Sequence, residues 1–394
     1  MATSNRARPV IVAARRSPIG TAGHSLATLR VDQLAAPILR AVAADAAFLG
    51  LAVDDVVLGN CLGPGGNLGR ITALAADLGD AVPGVTVDRQ CGSGLDAIMQ
   101  GASRIAGGDA ELIVAGGAES ASTAPHRYWP AAPATAEHPA TPKTRYTRAP
   151  FAPVGYPDPE MGPAAEALAV ALGISRERQD EWAVRSHERA VRSQQHGVFD
   201  AEMVTVGRLS RDERPRSGMT TQRLARLPGA FMPGLSATGT VTAGNSCGIS
   251  DGAAAVALTS FDHWATGGTP GLQVVGSAVS GCDPALPGLG PIGAIRKLLQ
   301  RHRLHTNDIG AIEITEAFAA QIIAVVDELG LEENLVCSDG GAIAMGHPWG
   351  ASGAILMVRL FSRMVRVDGP ELGLAACAIG GGQGIAVLVK KVHQ

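Results

Sequence analysis

Cys91 and His347 are the side chains in this sequence best set for chemistry. Cys91 stands in "VDRQCGSGLDAIMQG", between a short apolar run and a stretch of helical period. Leu95, Ile98, Met99, Ala102 and Ile105 recur on one helical face, which predicts a helix from about Gly94 to Ala106 after a strand ending near Asp88. A thiol at that helix start meets unpaired amides and the positive end of the dipole. Both favour the thiolate, the form that attacks a carbonyl carbon. Gly92 and Gly94 are expected to leave room for a substrate to reach the sulfur. The bland alternative for such a residue is a buried structural thiol. Its place at a helix start between glycines argues for the nucleophile.

A nucleophilic cysteine needs a base, and "GGAIAMGHPWGASG" offers His347 in a glycine-dense loop expected to follow an apolar strand. Pro348 fixes the chain behind it, and Gly346 and Gly350 permit close backbone approach. Other histidines (His126, His138, His187, His196, His302, His305) lie in polar stretches and are expected at the surface. A third feature is cationic: Arg208, Arg211, Arg214, Arg216, Arg223 and Arg226 face only Asp212 and Glu213 in the same stretch. Guanidinium forks suit phosphate oxygens, although any one of these residues could equally be a solvated surface charge.

These residues must be positioned by a chain of 394 residues with 46% hydrophobic content, enough for two or three units with buried cores. A net charge of -3 and 18% charged residues give no field that would gather nucleic acid. Fifty glycines and 4% aromatics fit tight strand-to-helix turns. Six cysteines without paired spacing indicate neither a disulfide framework nor a zinc site, so a reducing cytoplasm is expected. The N-terminal apolar run is too short for a secretion signal, and no stretch reaches the roughly 18 apolar residues of a membrane span. "GPGGNLG" lacks the dinucleotide spacing, and no phosphate-loop motif occurs.

Along the chain, short β-like runs alternate with helical patterns up to about residue 121, which predicts a parallel sheet covered by helices. Between 122 and 242 prolines and arginines cluster around one clear helical stretch, "SRERQDEWAVRSHERAVRSQQHG", with Ser175 as its N-cap. From 271 the alternation returns and repeats the first part. "APILRAVAADAAFLGLAVDDVVLGN" parallels "IGAIRKLLQRHRLHTNDIGAIEITEA", and the Cys91 helix with "AELIVAGGAES" parallels "GASGAILMVRLFSRMVRVDGPELGLAACAIGGG". The expected organisation is a half at 1–121 completed by 243–270, an insertion at 122–242, and a second half at 271–394.

Several motifs in this order resemble the thiolases, acyl-CoA acyltransferases that make or cleave 3-ketoacyl-CoA. "VDRQCGSGL" resembles their nucleophile motif; "AGGAES", "ISRERQDEWAVRSHERA", "GTVTAGNSCGISDGAAA", "EAFAAQ", "GGAIAMGHPWGASGA" and "GGGQG" follow in turn. The resemblance covers nearly the whole chain. It implies a five-layer αβαβα fold of two duplicated α/β halves with an inserted loop domain, a homodimer or homotetramer, and coenzyme A as substrate with no tightly bound cofactor. It makes Cys91 the acyl acceptor, His347 the base, and the amides of Cys91 and Gly380 the oxyanion hole. Thr242 to Gly248, Ala243 and Cys247 among them, would line the pantetheine channel with Met161 and Phe318 as walls, and Arg223 with its neighbours would meet the phosphates.

Three positions depart from the family pattern. Thr315 replaces the asparagine that holds a water at the enolate oxygen. Ala378 stands where the family has its second cysteine, the base for the α-carbon, and Cys377 lies one residue early. In a strand that offset turns the thiol to the opposite face unless a bulge intervenes. Cys377 after local rearrangement, or a water, must then take the role. Cys247 replaces a serine and donates a weaker hydrogen bond. These departures leave acyl transfer to Cys91 intact and keep open a second reading, a thiolase-fold acyltransferase or thioesterase without carbon-carbon chemistry.

Overall fold

The computed structural model describes residues 8–135, 139–231 and 239–393. His138 and the first seven residues, read above for surface exposure and for a leader, lie outside them. Its strands are β1 (Pro9–Arg16), β2 (Gly20–Thr21), β3 (Asp55–Gly59), β4 (Gly84–Val87), β5 (Leu112–Ser120), β6 (Arg127–Trp129), β7 (Thr144–Tyr146), β8 (Ser250–Ser260), β9 (Gly271–Gly281), β10 (Ala311–Ile314), β11 (Leu372–Ile379) and β12 (Gln383–Val392).

The repeat read in the sequence is present in the strand order. One half runs β3-β5-β8-β1 and the other β10-β11-β12-β9, with β4 added at the first half's edge. In each, the first pair is parallel and the next two are antiparallel. The halves meet where β1 and β9 pair over only two positions, Val10 with Gln273 and Ile11 with Leu272.

Side-chain alternation along these strands sorts the core into layers. In β5, Leu112 and Val114 face the outer core of the first half, while Ile113 and Ala115 face a central core. In β11, Leu374 and Ala376 face the outer core of the second half, while Ala375 and Cys377 face the same central core. Helices Val31–Asp45 and Gly290–His302 cover the two outer faces. Helices Ser93–Gly107 and Trp349–Phe361 fill the middle, which completes five layers, αβαβα. Trp349–Phe361 is buried at every residue from Gly350 to Phe361, as a helix between two sheets must be.

The central helices nearly touch. A Cβ on Gly94 would sit 2.7 Å from the backbone nitrogen of Ala354, and one on Gly353 would sit 2.5 Å from that of Leu95. Gly94 therefore serves helix packing, and the expectation that it opens a path to the sulfur is corrected. Gly92 is likewise filled from behind, since a Cβ there would lie 2.6 Å from Ile379 Cδ1.

Between the halves, Ser175 caps helix Arg176–Gln195 by accepting from the Arg178 amide, as its sequence predicts. A further helix, Met161–Ala171, and the β6–β7 hairpin add order to a stretch expected to be mostly loop. The helix escapes a periodicity reading because it is apolar on nearly all sides. Among the described residues no helix is long and apolar enough to cross a membrane.

Candidate active site

The loop after β4 and the loop before helix Trp349–Phe361 open onto one cavity of about 680 Å³. Cys91, His347 and Gly380 line it together with Met161, Cys247 and Phe318. Four other predicted positions, Cys377, Thr315, Ala243 and Arg223, lie off its wall.

His347 follows a short helix, Ala342–Met345, in place of the expected strand, and is held by its backbone and by one side of its ring. Its amide donates to Gly248 O and to Ser250 Oγ, each at 3.2 Å. Gly346 before it has φ +115°, a conformation that L side chains rarely adopt, and a Cβ there would meet Ser250 Oγ at 2.3 Å. Nδ1 lies 2.5 Å from Ser352 Oγ, and that hydroxyl donates to Pro348 O at 3.0 Å. With its proton spent on Pro348, Ser352 accepts from Nδ1–H, which leaves Nε2 as the basic nitrogen. Nε2 is buried and has no protein partner. Burial also pushes the imidazole down to about 4, so at neutral pH it is uncharged and free to take a proton.

Cys91 differs from expectation in charge. It precedes the N-cap Gly92 of helix Ser93–Gly107, yet burial and the neighbouring thiols of Cys377 and Cys247 push its thiol well above the ordinary range. Desolvation outweighs the helix terminus here. The resting sulfur is therefore a thiol, and any attack through it would require that its proton be removed.

Two predicted catalytic residues are not on the cavity wall. Cys377 is 0% exposed on the central face of β11, and its sulfur lies 3.0 Å from Thr315 Oγ1. Burial pushes Cys377 up to about 12. Thr315, 2% exposed, is thus occupied behind the wall. Register is continuous from Cys377 to Ile379 against β12, so no bulge turns the thiol inward, and Ala378 lines the cavity instead.

Two predicted binding residues are also absent from the wall. Ala243 is exposed away from it, and Arg223 is exposed with Nη1 donating to Gly218 O at 2.6 Å. The rest of the arginine cluster is instructive. Asp212 is drawn inward to Arg16, and Glu213 accepts from the Thr21 and Ser25 amides. Among the described residues none of the six arginines pairs with a carboxylate. Arg208, Arg211, Arg216 and Arg226 are exposed with Arg223, whereas Arg214 is half-buried across Gly248, where a Cβ would lie 2.2 Å from its Cζ. Beside it His187 is buried, a correction to its expected exposure. Burial, with Arg214 and Arg216 adding to it, holds His187 at about 4, and Nδ1 accepts from the Arg216 amide. His126, His196 and His305 are exposed.

Some site residues carried no sequence signal. Cys61 lines the cavity, and its sulfur donates to Gln90 O at 3.1 Å, one residue before Cys91. Glu119 was visible only as part of "AGGAES". It is fully buried and accepts from the amides of Cys61, Leu62 and Gly350 and from Asn60 Nδ2, at 2.9 to 3.1 Å. Burial pushes Glu119 up to about 7 against the pull of those donors. It ties the Cys61 loop to the start of the helix that follows His347.

Comparison with known proteins decides the family. The family model "Thiolase, N-terminal domain" matches residues 9–262, and "Thiolase, C-terminal domain" matches 269–391. The chain belongs to the thiolase family. Acetyl-CoA acetyltransferase of Escherichia coli strain K12 is 40% identical over 400 residues, covering 98% of this chain and 99% of that protein. The crystal structure of the Bacillus anthracis acetyl-CoA acetyltransferase superposes with TM-score 0.88 at 37% identity, over 98% of this chain and 99% of that one. Human mitochondrial 3-ketoacyl-CoA thiolase, solved in complex with CoA, gives TM-score 0.86 at 32% identity, over 98% of each chain. This thiolase is thus a CoA-dependent acyltransferase, an enzyme that forms or cleaves 3-ketoacyl-CoA, built on the duplicated five-layer fold.

Proposed function

We propose that the enzyme works through an acyl-Cys91 intermediate, with acetyl-CoA and acetoacetyl-CoA as its simplest substrates. His347 Nε2 takes the Cys91 proton as the sulfur attacks; from a thioester carbon the departing CoA thiolate takes that proton back from the imidazolium, and from a keto carbon the departing α-carbon takes a proton from a water, which the imidazolium then re-protonates. The amides of Cys91 and Gly380 receive the developing oxyanion; such donors each contribute on the order of 3 kcal/mol. The observation that carries this reading is the shared cavity of Cys91 and an uncharged His347 whose Nε2 has no partner.

Met161, Phe318 and Cys247 support a channel for the pantetheine arm. The unpaired arginines, Arg223 and Arg216 foremost, support phosphate contacts at its mouth. We read 122–242 as the coenzyme-binding insertion between a half at 1–121 completed by 243–270 and a half at 271–394. Because Cys377 is sealed behind the wall, a water beside Ala378 exchanges the α-carbon proton. Six free cysteines support a reducing cytoplasm, and the family resemblance supports a homodimer or homotetramer; light scattering of purified protein tests the latter.

The test of the reaction is acetoacetyl-CoA with CoA. Acetyl-CoA should form, with an acetyl group on Cys91 visible by intact mass. An acetoacetyl group on Cys91, with no acetyl-CoA formed, would overturn the Claisen step.

A further inference from the structure

Several buried polar atoms lack a partner among the described residues, and two of the side chains that own them line the cavity: His347 and Gln321. The orphan on His347 is the atom with work to do in acyl transfer. Gln321 is 2% exposed, and both ends of its amide, Oε1 and Nε2, are unpartnered. Buried amides are rarely left so, because a donor and an acceptor stripped of water and given nothing in return are unfavourable.

Gln321 sits in the first turn of helix Ala319–Leu329, where that helix meets helix Met161–Ala171 and the turn Pro287–Leu289. Gly288 opens this corner. A Cβ there would lie 2.9 Å from Leu168 Cδ2 and 3.1 Å from Gln321 Cγ. Leu168, Pro287 and Phe318 make the surrounding wall apolar. A carboxylate entering this lobe would satisfy Nε2 and repel Oε1, and a cation would do the reverse. A neutral group that both donates and accepts answers both ends.

We propose that Gln321 is a substrate-recognition residue whose amide binds an uncharged hydroxyl or amide of the acyl-CoA in the lobe beside Gly288. The proposal rests on the thiolase reading of the cavity. That chemistry has two sources in an acyl-CoA: the pantetheine amides, or a hydroxyl carried on the acyl chain.

Titration calorimetry in a Cys91→Ala background, where acyl transfer is blocked, separates them. CoA, butyryl-CoA and 4-hydroxybutyryl-CoA are titrated into protein with Gln321 and with Gln321→Leu. If the pantetheine is the partner, all three bind roughly three- to tenfold more weakly after substitution. If the acyl hydroxyl is the partner, only 4-hydroxybutyryl-CoA weakens by that factor and its advantage over butyryl-CoA disappears. Gln321→Met and Gly288→Ala, each checked by thermal melt, should reproduce the same ranking and decide the matter should the leucine variant not fold. Affinities within twofold of the parent for all three ligands in folded variants would overturn the proposal. Acylation of Cys91 in the wild-type protein, followed separately by mass, distinguishes that failure from failure of the thiolase reading.

Discussion

In the proposed mechanism, attack by Cys91 depends on where its proton goes, because burial and two nearby thiols oppose a resting thiolate. Ser352 decides this by holding Nδ1–H and leaving Nε2 basic. Ser352→Ala should slow Cys91 acylation about 10- to 100-fold, the range seen when a positioning hydrogen bond is removed, with partial rescue by Ser352→Thr. Quenched-flow mass spectrometry reads this directly. The pH profile carries a second prediction. With His347 held near 4, acylation should stay flat from about pH 8 to 5 and fall only as the imidazole protonates below that. Stability follows the same group. The folded value lies below the unfolded one, near 6.5, so the folded state binds this proton less readily. The stability it contributes is full above pH 6.5 and is lost as pH falls toward 4, by about 3 kcal/mol. Denaturant melts of wild type and His347→Asn across that window should differ in slope.

At the scale of elements, the site hangs on the crossing of two helices and on the Glu119 clamp. Gly353→Ala should force the central helices apart and destabilise by about 2 kcal/mol, read as a lower melting temperature and reduced acylation together. Glu119→Ala should cost about 3 kcal/mol, since four donors lose their acceptor. The nucleophile helix and the Ser175 cap were legible because periodicity and capping are local, contiguous signals. The role of Gly94 was not, because a helix crossing is made by residues some 260 positions apart, a separation no spacing rule spans. The charge state of Cys91 failed for the same reason: its dipole is local, but its burial is made by the tertiary fold, and the thiols of Cys377 and Cys247 that oppose the thiolate lie far away in sequence. Ala378 and Cys377 were legible, since strand alternation alone puts one thiol behind the wall.

Across the whole molecule, two copies of one α/β unit meet at the short β1–β9 pairing, each supplying one reactive group from the start of its central helix. The duplication was visible as repeated patterns, whereas helix Met161–Ala171 was hidden by its uniform apolarity. At Ala378 the cavity wall carries a methyl group that cannot exchange a proton, where the family resemblance leads one to expect a cysteine. Ala378→Cys should therefore raise the rate of acetoacetyl-CoA thiolysis at least tenfold while Cys91 acylation by acetyl-CoA changes little, a split that single-turnover kinetics with each donor resolves.

The most direct test is intact-mass analysis of the wild-type enzyme mixed with acetoacetyl-CoA, alongside Cys91→Ala. The account predicts one acetyl group on the wild-type protein, localised to Cys91 and discharged by added CoA as acetyl-CoA, with none on the variant. An unmodified wild-type protein that nevertheless turns over, or an equal adduct on the variant, would contradict it.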